Sequence, residues 1–298
     1  MRVRVLPGVH IVVIFMCGIW IVTITFLVAA NCSLIGTFLM LRRQAMVGDA
    51  ISHAVLLGVV IGFLVTGSTH FTVSLVGALI AAMLCMSLIR FLQITLKVHR
   101  DAALGLSFTS FFALGVILIA RYTQKVDLDQ GCVLYGQLIG TLFDQWSCYG
   151  YLLGPQSAYW LLALLLLNTT IIWLIYPTLL AITFDRDNAQ VIGIYVSFWE
   201  YVLIVMTSLV AVASFKIVGA PLVIAFFILP PASAYFLTHQ VSKLLFSALI
   251  IDALATIYGY QLAFIWNLSI PGSIVVIASM LFGLAFLTSK LVKKFLPA

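Results

Sequence analysis

The chain has 298 residues, of which 64% are hydrophobic and only 8% are charged, and its mean hydropathy is +1.22. Because an average soluble domain is about a quarter charged, this composition excludes a water-soluble globular fold and indicates an integral membrane protein. The formal net charge of +6 comes from basic residues dispersed at the ends of apolar segments. That pattern is typical of membrane anchoring and excludes a nucleic-acid-binding stripe.

Apolar runs follow one another along the chain and predict an all-α fold. Their successive apolar positions differ from the alternation of a transmembrane β-barrel, so we expect a polytopic helical bundle with residues 1–298 forming one membrane domain and no soluble domain. The first run is long for a single crossing and the second and seventh are short, which leaves eight or nine transmembrane helices open. In chain order the predicted helices cover 11–41, 51–65, 73–96, 104–120, 158–176, 201–215, 222–237, 244–264 and 274–287.

Lysine and arginine residues predict how the spans are oriented. If the spans alternate, most of the basic residues share one membrane face, and the positive-inside rule assigns that face to the cytoplasm. With nine spans the N-terminus then lies outside, where Arg2 and Arg4 are unfavourable, so the side of the N-terminus stays open. The residues on the shared face are Arg42, Arg43, Arg90, Lys97, Arg100, Arg186, Lys243, Lys290, Lys293 and Lys294.

Two polar connections are longer than a turn. The segment 122–156 lies outside in this orientation, and we expect it to be a docking surface for an external partner. It holds Cys132 and Cys148, which either pair in an oxidising compartment or remain free thiols. The segment 177–200 lies inside, where it is accessible to a soluble partner.

The inner segment contains a predicted short amphipathic helix. Asp185 is a suitable N-cap residue and Gly193 supplies a C-terminal stop. Ala189, Val191 and Ile192 are predicted to face one way. Such a helix suits contact with a soluble partner, or alternatively lies on the lipid surface.

The stretch 41–58, which reads LRRQAMVGDAISHAVLLG, places two ionisable side chains in an apolar helix. Asp49 and His53 are four residues apart and therefore share a helix face. Ionisable residues inside a span are functional candidates by default. A carboxylate with an imidazole suits zinc, manganese or ferrous iron, and two copies of the chain about a dyad would supply four ligands. The alternative is structural: Asp49 caps the helix and His53 is hydrogen-bonded back to it.

Two further acidic residues have simpler explanations. Asp252 lies within the predicted helix 244–264, where it either lines the transport pathway or bonds to a neighbouring helix through Thr256 or Tyr258. Glu200 lies near a helix start, where the helix macrodipole explains a carboxylate.

Glycine and proline clusters predict a broken seventh helix. The clusters 219–221 and 230–234 interrupt the run 222–237 at its beginning and in its middle. Broken membrane helices persist where they are buried in protein or line a cavity. We therefore expect a moving part in this region, with close helix packing as the structural alternative.

Sequence motifs of the common hydrolytic enzymes are absent from the chain. It contains no G-x-x-x-x-G-K-[ST], no H-E-x-x-H and no G-x-S-x-G. These motifs carry phosphate binding, zinc-dependent proteolysis and serine hydrolysis, respectively. We therefore expect no enzyme, and any ATP chemistry must belong to another chain.

Taken together, five stretches resemble the permease subunits of ATP-binding-cassette importers for zinc, manganese and iron. The resemblance covers nearly the whole chain, and its first and fourth stretches are the most specific. Leu57 stands where the family often has proline, so the second helix is expected to be straighter. Gln44-Ala45 stands where the family commonly has methionine-serine. The stretches are LRRQAMVGDAISHAVLLG at 41–58, DAALGLSFTSFFALGV at 101–116, VDLDQGCVLYGQLIG at 126–140, FDRDNAQVIGI at 184–194 and KIVGAPLVIAFFILPPASAYFLT at 216–238.

The resemblance implies a site and partners. Asp49 and His53 would meet the metal in the translocation channel. Asp252 is a weaker candidate, on the ground of its position inside a span alone. The ATPase-coupling residues would be Phe184, Asp185, Ala189, Ile192 and Gly193. The implied partners are ATP-binding subunits, an external metal-binding protein, a second permease that is identical or a sister, and membrane lipid.

The resemblance also implies a location in the bacterial inner membrane and no cofactor, since the metal is cargo. The alternative functions are a proton-coupled secondary metal carrier that uses Asp49, His53 or Asp252 as a relay, and a membrane scaffold that transports nothing.

Overall fold

The computed structural model describes residues 7–67, 71–122, 151–238 and 240–295, together with 136, 138, 140–142 and 145–148. Within these ranges the chain forms ten α-helices and one short β-hairpin. The helices are α1 (Pro7–Leu41), α2 (Ala45–Thr66), α3 (Phe71–Ile94), α4 (Arg100–Tyr122), α5 (Gln156–Phe184), α6 (Arg186–Val191), α7 (Val196–Val218), α8 (Ala220–Leu237), α9 (Val241–Trp266) and α10 (Ile270–Phe295).

Membrane-spanning length is reached by nine of these helices in the described ranges, all except the six-residue α6. The predicted all-α membrane bundle is confirmed. Of the two span numbers that the sequence left open, eight and nine, the described residues support nine. Helix α1 has 35 residues, or about 52 Å at 1.5 Å per residue, well beyond a hydrocarbon core of about 30 Å. Its apolar span covers Cys17–Leu41.

The centre of the bundle is formed by α1 and α7. Helix α1 packs against α5, α7, α8 and α9, while α7 also contacts α2 and α3. Buried threonine hydroxyls in both helices, such as those of Thr25 and Thr207, donate to the backbone carbonyl one turn earlier, which satisfies them without water. Asn168 Nδ2 donates to Asn31 Oδ1 at 3.0 Å and so joins α5 to α1 in the interior.

Helices α2 and α3 cross at unusually short range. Gly58 and Gly77 face each other, and a Cβ atom added to either would lie 2.2–2.3 Å from the carbonyl oxygen of the other. Small residues allow such close backbone approach in membrane helices. The crossing fixes the position of α2, which carries Asp49 and His53.

Two of the predicted helix breaks are wrong. Helix α5 continues through Pro177 to Phe184, so the first part of the segment 177–200 is helical, and the burial of Leu179 and Ile182 extends the packing face past the proline. Helix α8 is likewise continuous through its buried Pro230 and Pro231. Neighbouring helices make proline tolerable inside membrane helices.

The predicted break at the start of α8 is present. Gly219 has φ 84° and ψ 157° and separates α7 from α8. This backbone conformation lies in a region that favours glycine. A single residue therefore separates the two helices.

The connection 122–156 contains structure that the sequence pattern did not indicate. Strands β1 (Gln145–Cys148) and β2 (Tyr151–Pro155) pair antiparallel. Most of the segment 122–156 lies outside the described residues, as does Cys132. The pairing of Cys132 with Cys148, the docking role of this segment and the single-domain division stay predictions.

Candidate metal site and coupling segment

The GDAISH stretch lies in the first turns of α2. Helix α1 ends at Leu41, and a tight link in which Arg43 has φ 55° leads into α2 at Ala45. Gln44 occupies the N-cap position. Asp49 is therefore one turn inside the helix, and the alternative that it caps α2 is wrong.

Asp49 and His53 meet on a half-exposed edge of α2. The Asp49 Oδ1 atom lies 3.3 Å from His53 Nε2, and each side chain is 30% exposed. Two ligands of one tetrahedral ion with bonds of about 2.1 Å stand about 3.4 Å apart. The pair is therefore spaced as two adjacent ligands of a divalent metal ion.

The opposite face of α2 is packed into the protein. Val47, Ala50, Ile51 and Ala54 are all buried. This burial leaves Asp49 and His53 at the edge where the packed face meets open space. One face of the helix is thus packed, while the side chains of Asp49 and His53 are partly exposed.

Aromatic side chains of α4 hold the His53 ring. Phe108 stacks on it with ring centroids 5.2 Å apart and an interplanar angle of 23°, and Phe112 meets it edge-on, also at 5.2 Å. These two residues were missed at the sequence level. Their spacing of four residues, which puts them on one face of α4, was the available signal.

The described residues of one copy do not form a complete metal-binding shell. Among the described residues, no group of three or more His, Cys, Asp or Glu side chains could hold a metal ion. Asp49 and His53 are thus two candidate ligands, and further ligands for a metal ion would have to come from outside the described part of the chain.

Asp252 has a partner on a neighbouring helix. It is fully buried in α9 and accepts a hydrogen bond from the Ser33 hydroxyl of α1. The Thr256 hydroxyl donates to the backbone carbonyl of Asp252 at 2.9 Å, while Tyr258 is exposed. The helix–helix bond therefore runs through Ser33 rather than Thr256 or Tyr258. This contact supports a packing role, and a role on the metal pathway stays a prediction.

The short inner helix α6 begins and ends as predicted. The Asp185 carboxylate accepts a hydrogen bond from the Asn188 backbone N–H at 2.9 Å, and Gly193 follows the helix with φ 92°. The prediction that Ala189, Val191 and Ile192 face one way is wrong. Ala189 is buried, whereas Val191 and Ile192 are 85% and 68% exposed. The inward face of α6 is therefore small, and two large apolar side chains project outward.

Glu200 is not explained by the helix macrodipole. It lies in the second turn of α7 with its side chain only 6% exposed, and it accepts a hydrogen bond from Arg42 Nη2 at 2.5 Å. Arg90 of α3 also bonds to its carboxylate, and Arg186 of α6 lies 3.4 Å away. We call these four residues the Glu200 cluster. Buried carboxylates persist when they are paired in this way.

The nine spans, the half-exposed Asp49–His53 pair and the surface helix α6 define a multi-pass membrane protein of the transporter class. The model of the ABC 3 transport family matches residues 14–289, and the chain belongs to this family. The resemblance seen in the sequence motifs and the predicted location in a bacterial membrane are thereby confirmed. The chain is a multi-pass permease of the ABC transporter class.

Relatives with assigned names cover most of the chain. It is 41% identical to the manganese transport system membrane protein MntD of Bacillus subtilis, over 91% of both chains. It is 36% identical to the zinc transport system membrane protein TroD of Treponema pallidum, over 90% of this chain and 73% of that one.

Solved structures share the fold. PsaBC from Streptococcus pneumoniae in complex with Fab matches with a TM-score of 0.75 and 27% identity over 90% of both chains. An inward-facing conformation of a metal-chelate type ABC transporter matches with a TM-score of 0.62 and 16% identity, covering 97% of this chain and 91% of that one. At that identity the second likeness concerns the fold alone.

Proposed function

We propose that the chain is the permease subunit of an ABC importer that moves a divalent transition-metal ion into the cytoplasm, driven by ATP hydrolysis on separate subunits. The observation that carries the proposal is the half-exposed Asp49–His53 pair, whose 3.3 Å separation suits two adjacent metal ligands. These ligand types accept manganese, zinc and ferrous iron. Among these metals, manganese and zinc are the ones that the names of the relatives mention.

The proposal includes a second permease, identical or a sister. One copy offers two ligands on an edge of α2 that faces open space. A second permease across a dyad would bring a second such pair and complete a four-ligand site. Because few ligands bind the ion and two of them are oxygens, the site can bind selectively and still release its cargo.

The proposal places a partner on each side of the membrane. An external metal-binding protein would deliver the ion at the segment 122–156. On the inner side, α6 would couple to an ATP-binding subunit. The exposure of Val191, Ile192 and Phe184 leaves their apolar side chains available for this contact.

Energy coupling is tested with the assembled complex in proteoliposomes. We expect manganese or zinc to enter when ATP is supplied to the ATP-binding subunits, and to stop entering when those subunits carry a hydrolysis-defective substitution. Collapsing the proton gradient should change nothing. Uptake that persists without ATP and stops with the gradient would instead establish a proton-coupled carrier, and no flux at all would indicate a scaffold.

The aromatic contacts of His53 predict a change in apparent metal affinity. Phe108→Leu removes the stacked ring, which contributes about 0.5–1.5 kcal/mol in comparable pairs, so His53 is held less firmly. We expect the half-saturating manganese concentration for uptake to rise about 3- to 10-fold with little change in maximal rate.

The measurement is the initial rate of uptake against concentration in cells that lack other manganese importers. Phe246→Leu is the matched control, because Phe246 is exposed on α9 away from the site. An unchanged half-saturating concentration in Phe108→Leu would contradict the orienting role of the ring.

A further inference from the structure

The Glu200 cluster connects four separate parts of the fold. Glu200 belongs to α7, Arg90 to α3 and Arg186 to α6, while Arg42 lies in the link between α1 and α2. The guanidinium of Arg90 also lies over the Tyr201 ring, 4.6 Å from its centroid. The carboxylate is thus a common contact of the inner helix and of three transmembrane regions.

The three arginines differ in burial, and so in how firmly they hold the carboxylate. The side chains of Arg42 and Arg90 are 6% and 22% exposed, whereas that of Arg186 is 54% exposed and stands 3.4 Å from Glu200. Exposed ion pairs are weak, while breaking a buried one is costly. Arg42 and Arg90 therefore hold Glu200 in place, and the more exposed contact with Arg186 can open without leaving the carboxylate unpaired.

Arg42 and Arg90 are connected to α2, the helix that carries Asp49 and His53. Arg42 is seven residues before Asp49, in the tight link that leads into α2. Arg90 belongs to α3, which packs against α2 through the Gly58–Gly77 crossing. A displacement of Glu200 therefore acts on α3 through Arg90 and on the start of α2 through Arg42.

Helix α6 depends on this cluster for its polar attachment to the bundle. It has six residues, and Ala189 is its buried side chain. The Asp185 cap and the Gly193 turn shape the helix itself, whereas Arg186 reaches across to Glu200 of α7. The Arg186–Glu200 contact is thus, among the described residues, a direct ionic link between the proposed ATPase-coupling helix and the membrane helices.

We propose that Glu200 and Arg186 are positioning residues that form the joint through which motion of α6 reaches α2, and that the outer Arg186–Glu200 contact opens and closes during transport. This inference rests on the proposed coupling role of α6. The joint belongs to the permease chain itself and needs no ligand to form.

The first test measures the position of α6 directly in the assembled complex in nanodiscs. Spin labels are attached through unnatural amino acids at Gln190 on α6 and Leu96 beyond α3, both of which are exposed. We expect a narrow distance distribution in the unaltered chain and in Arg186→Lys, and a distribution about twice as wide in Arg186→Ala, because α6 then moves independently. Lys243→Ala, which removes another exposed cation at the inner side, should leave the distribution narrow.

The second test measures metal ions imported per ATP hydrolysed in proteoliposomes. We expect this ratio to fall about tenfold in Arg186→Ala, to recover in Arg186→Lys and to stay unchanged in Lys243→Ala. Glu200→Gln should lower it at least as much, because it also weakens the pairing of the carboxylate position with Arg42 and Arg90. Adding Arg186→Ala to Glu200→Gln should lower it no further, because the Arg186–Glu200 ion pair is already lost.

The outcomes separate the joint from the proposed function. A narrow distribution together with an unchanged ratio in Arg186→Ala would overturn the joint. If the unaltered complex imports no metal with ATP, the proposed function fails, while the distance distributions still decide whether Arg186 and Glu200 hold α6 in place.

Discussion

Asp49→Asn is expected to reduce manganese uptake by about 100-fold or more at subsaturating metal. Substitutions of outer-shell partners cost about 10- to 100-fold in metal affinity, and a direct ligand should reach at least the upper end of that range. Asparagine keeps the shape of the side chain but removes the charge that attracts the cation. Since Asp49 is half-exposed, its replacement should leave the fold intact.

His53→Gln should have an effect of similar size, because it removes the imidazole nitrogen from the same ion. The double variant should be little worse than either single variant, since one lost ligand already disables a shared site. Initial rates of radioactive manganese uptake, combined with co-purification of the ATP-binding subunits, separate loss of transport from loss of assembly.

The controls for these variants repeat the same chemical changes outside the site. Asp101→Asn and His99→Gln alter exposed residues at the start of α4 and just before it, and both should retain near-normal uptake. Near-normal uptake by Asp49→Asn in a normally assembled complex would exclude Asp49 as a ligand.

The sequence was sufficient for those features that depend on local pattern. Apolar runs predict the spans because a bilayer requires about 20 apolar residues for each helix. The spacing of four residues places Asp49 and His53 on one face because that spacing is a property of any α-helix. The Asp185 cap and the Gly193 stop likewise depend only on the residues next to them in the sequence.

The features that were missed depend on packing between distant segments. Arg42 and Glu200 are 158 residues apart in the chain. From the sequence, Arg42 was interpreted as positive-inside anchoring and Glu200 as a partner of the helix macrodipole, and neither interpretation indicates the other residue. Only the fold shows that they meet. The Phe108 contact with His53 likewise required knowing how α4 lies against α2.

The proline predictions failed for a related reason. The rule that proline ends a helix reflects a lost hydrogen bond and a steric clash. Inside a bundle, neighbouring helices compensate for the freed backbone groups. Pro177 and the buried Pro230 and Pro231 therefore lie within continuous helices, and no local pattern distinguishes them from helix ends.

Gly58→Ala is expected to destabilise the protein and to abolish most of its transport. The added Cβ would lie 2.2 Å from the carbonyl oxygen of Gly77, far inside van der Waals contact, and a backbone atom of a packed helix cannot yield as a flexible side chain does. Overpacking typically costs about 1–3 kcal/mol, and we expect the upper end here. The midpoint of thermal unfolding in detergent should fall accordingly.

Transport should fall further than this loss of stability alone would cause. Relieving the clash requires α2 and α3 to separate by about 1 Å, whereas functional groups must be held within about 0.5 Å of their working positions. Because α2 carries Asp49 and His53, folded Gly58→Ala protein should import manganese at least about tenfold more slowly.

The matched control is Gly283→Ala in α10, where an added Cβ meets no atom within 4 Å. Alanine is the better helix former by about 1 kcal/mol, so this variant should be at least as stable as the unaltered chain and should import metal normally. The same substitution thus has opposite effects at two helical glycines, because only Gly58 faces a backbone carbonyl. Equal stability and uptake in the two variants would show that the α2–α3 crossing is not what positions the metal site.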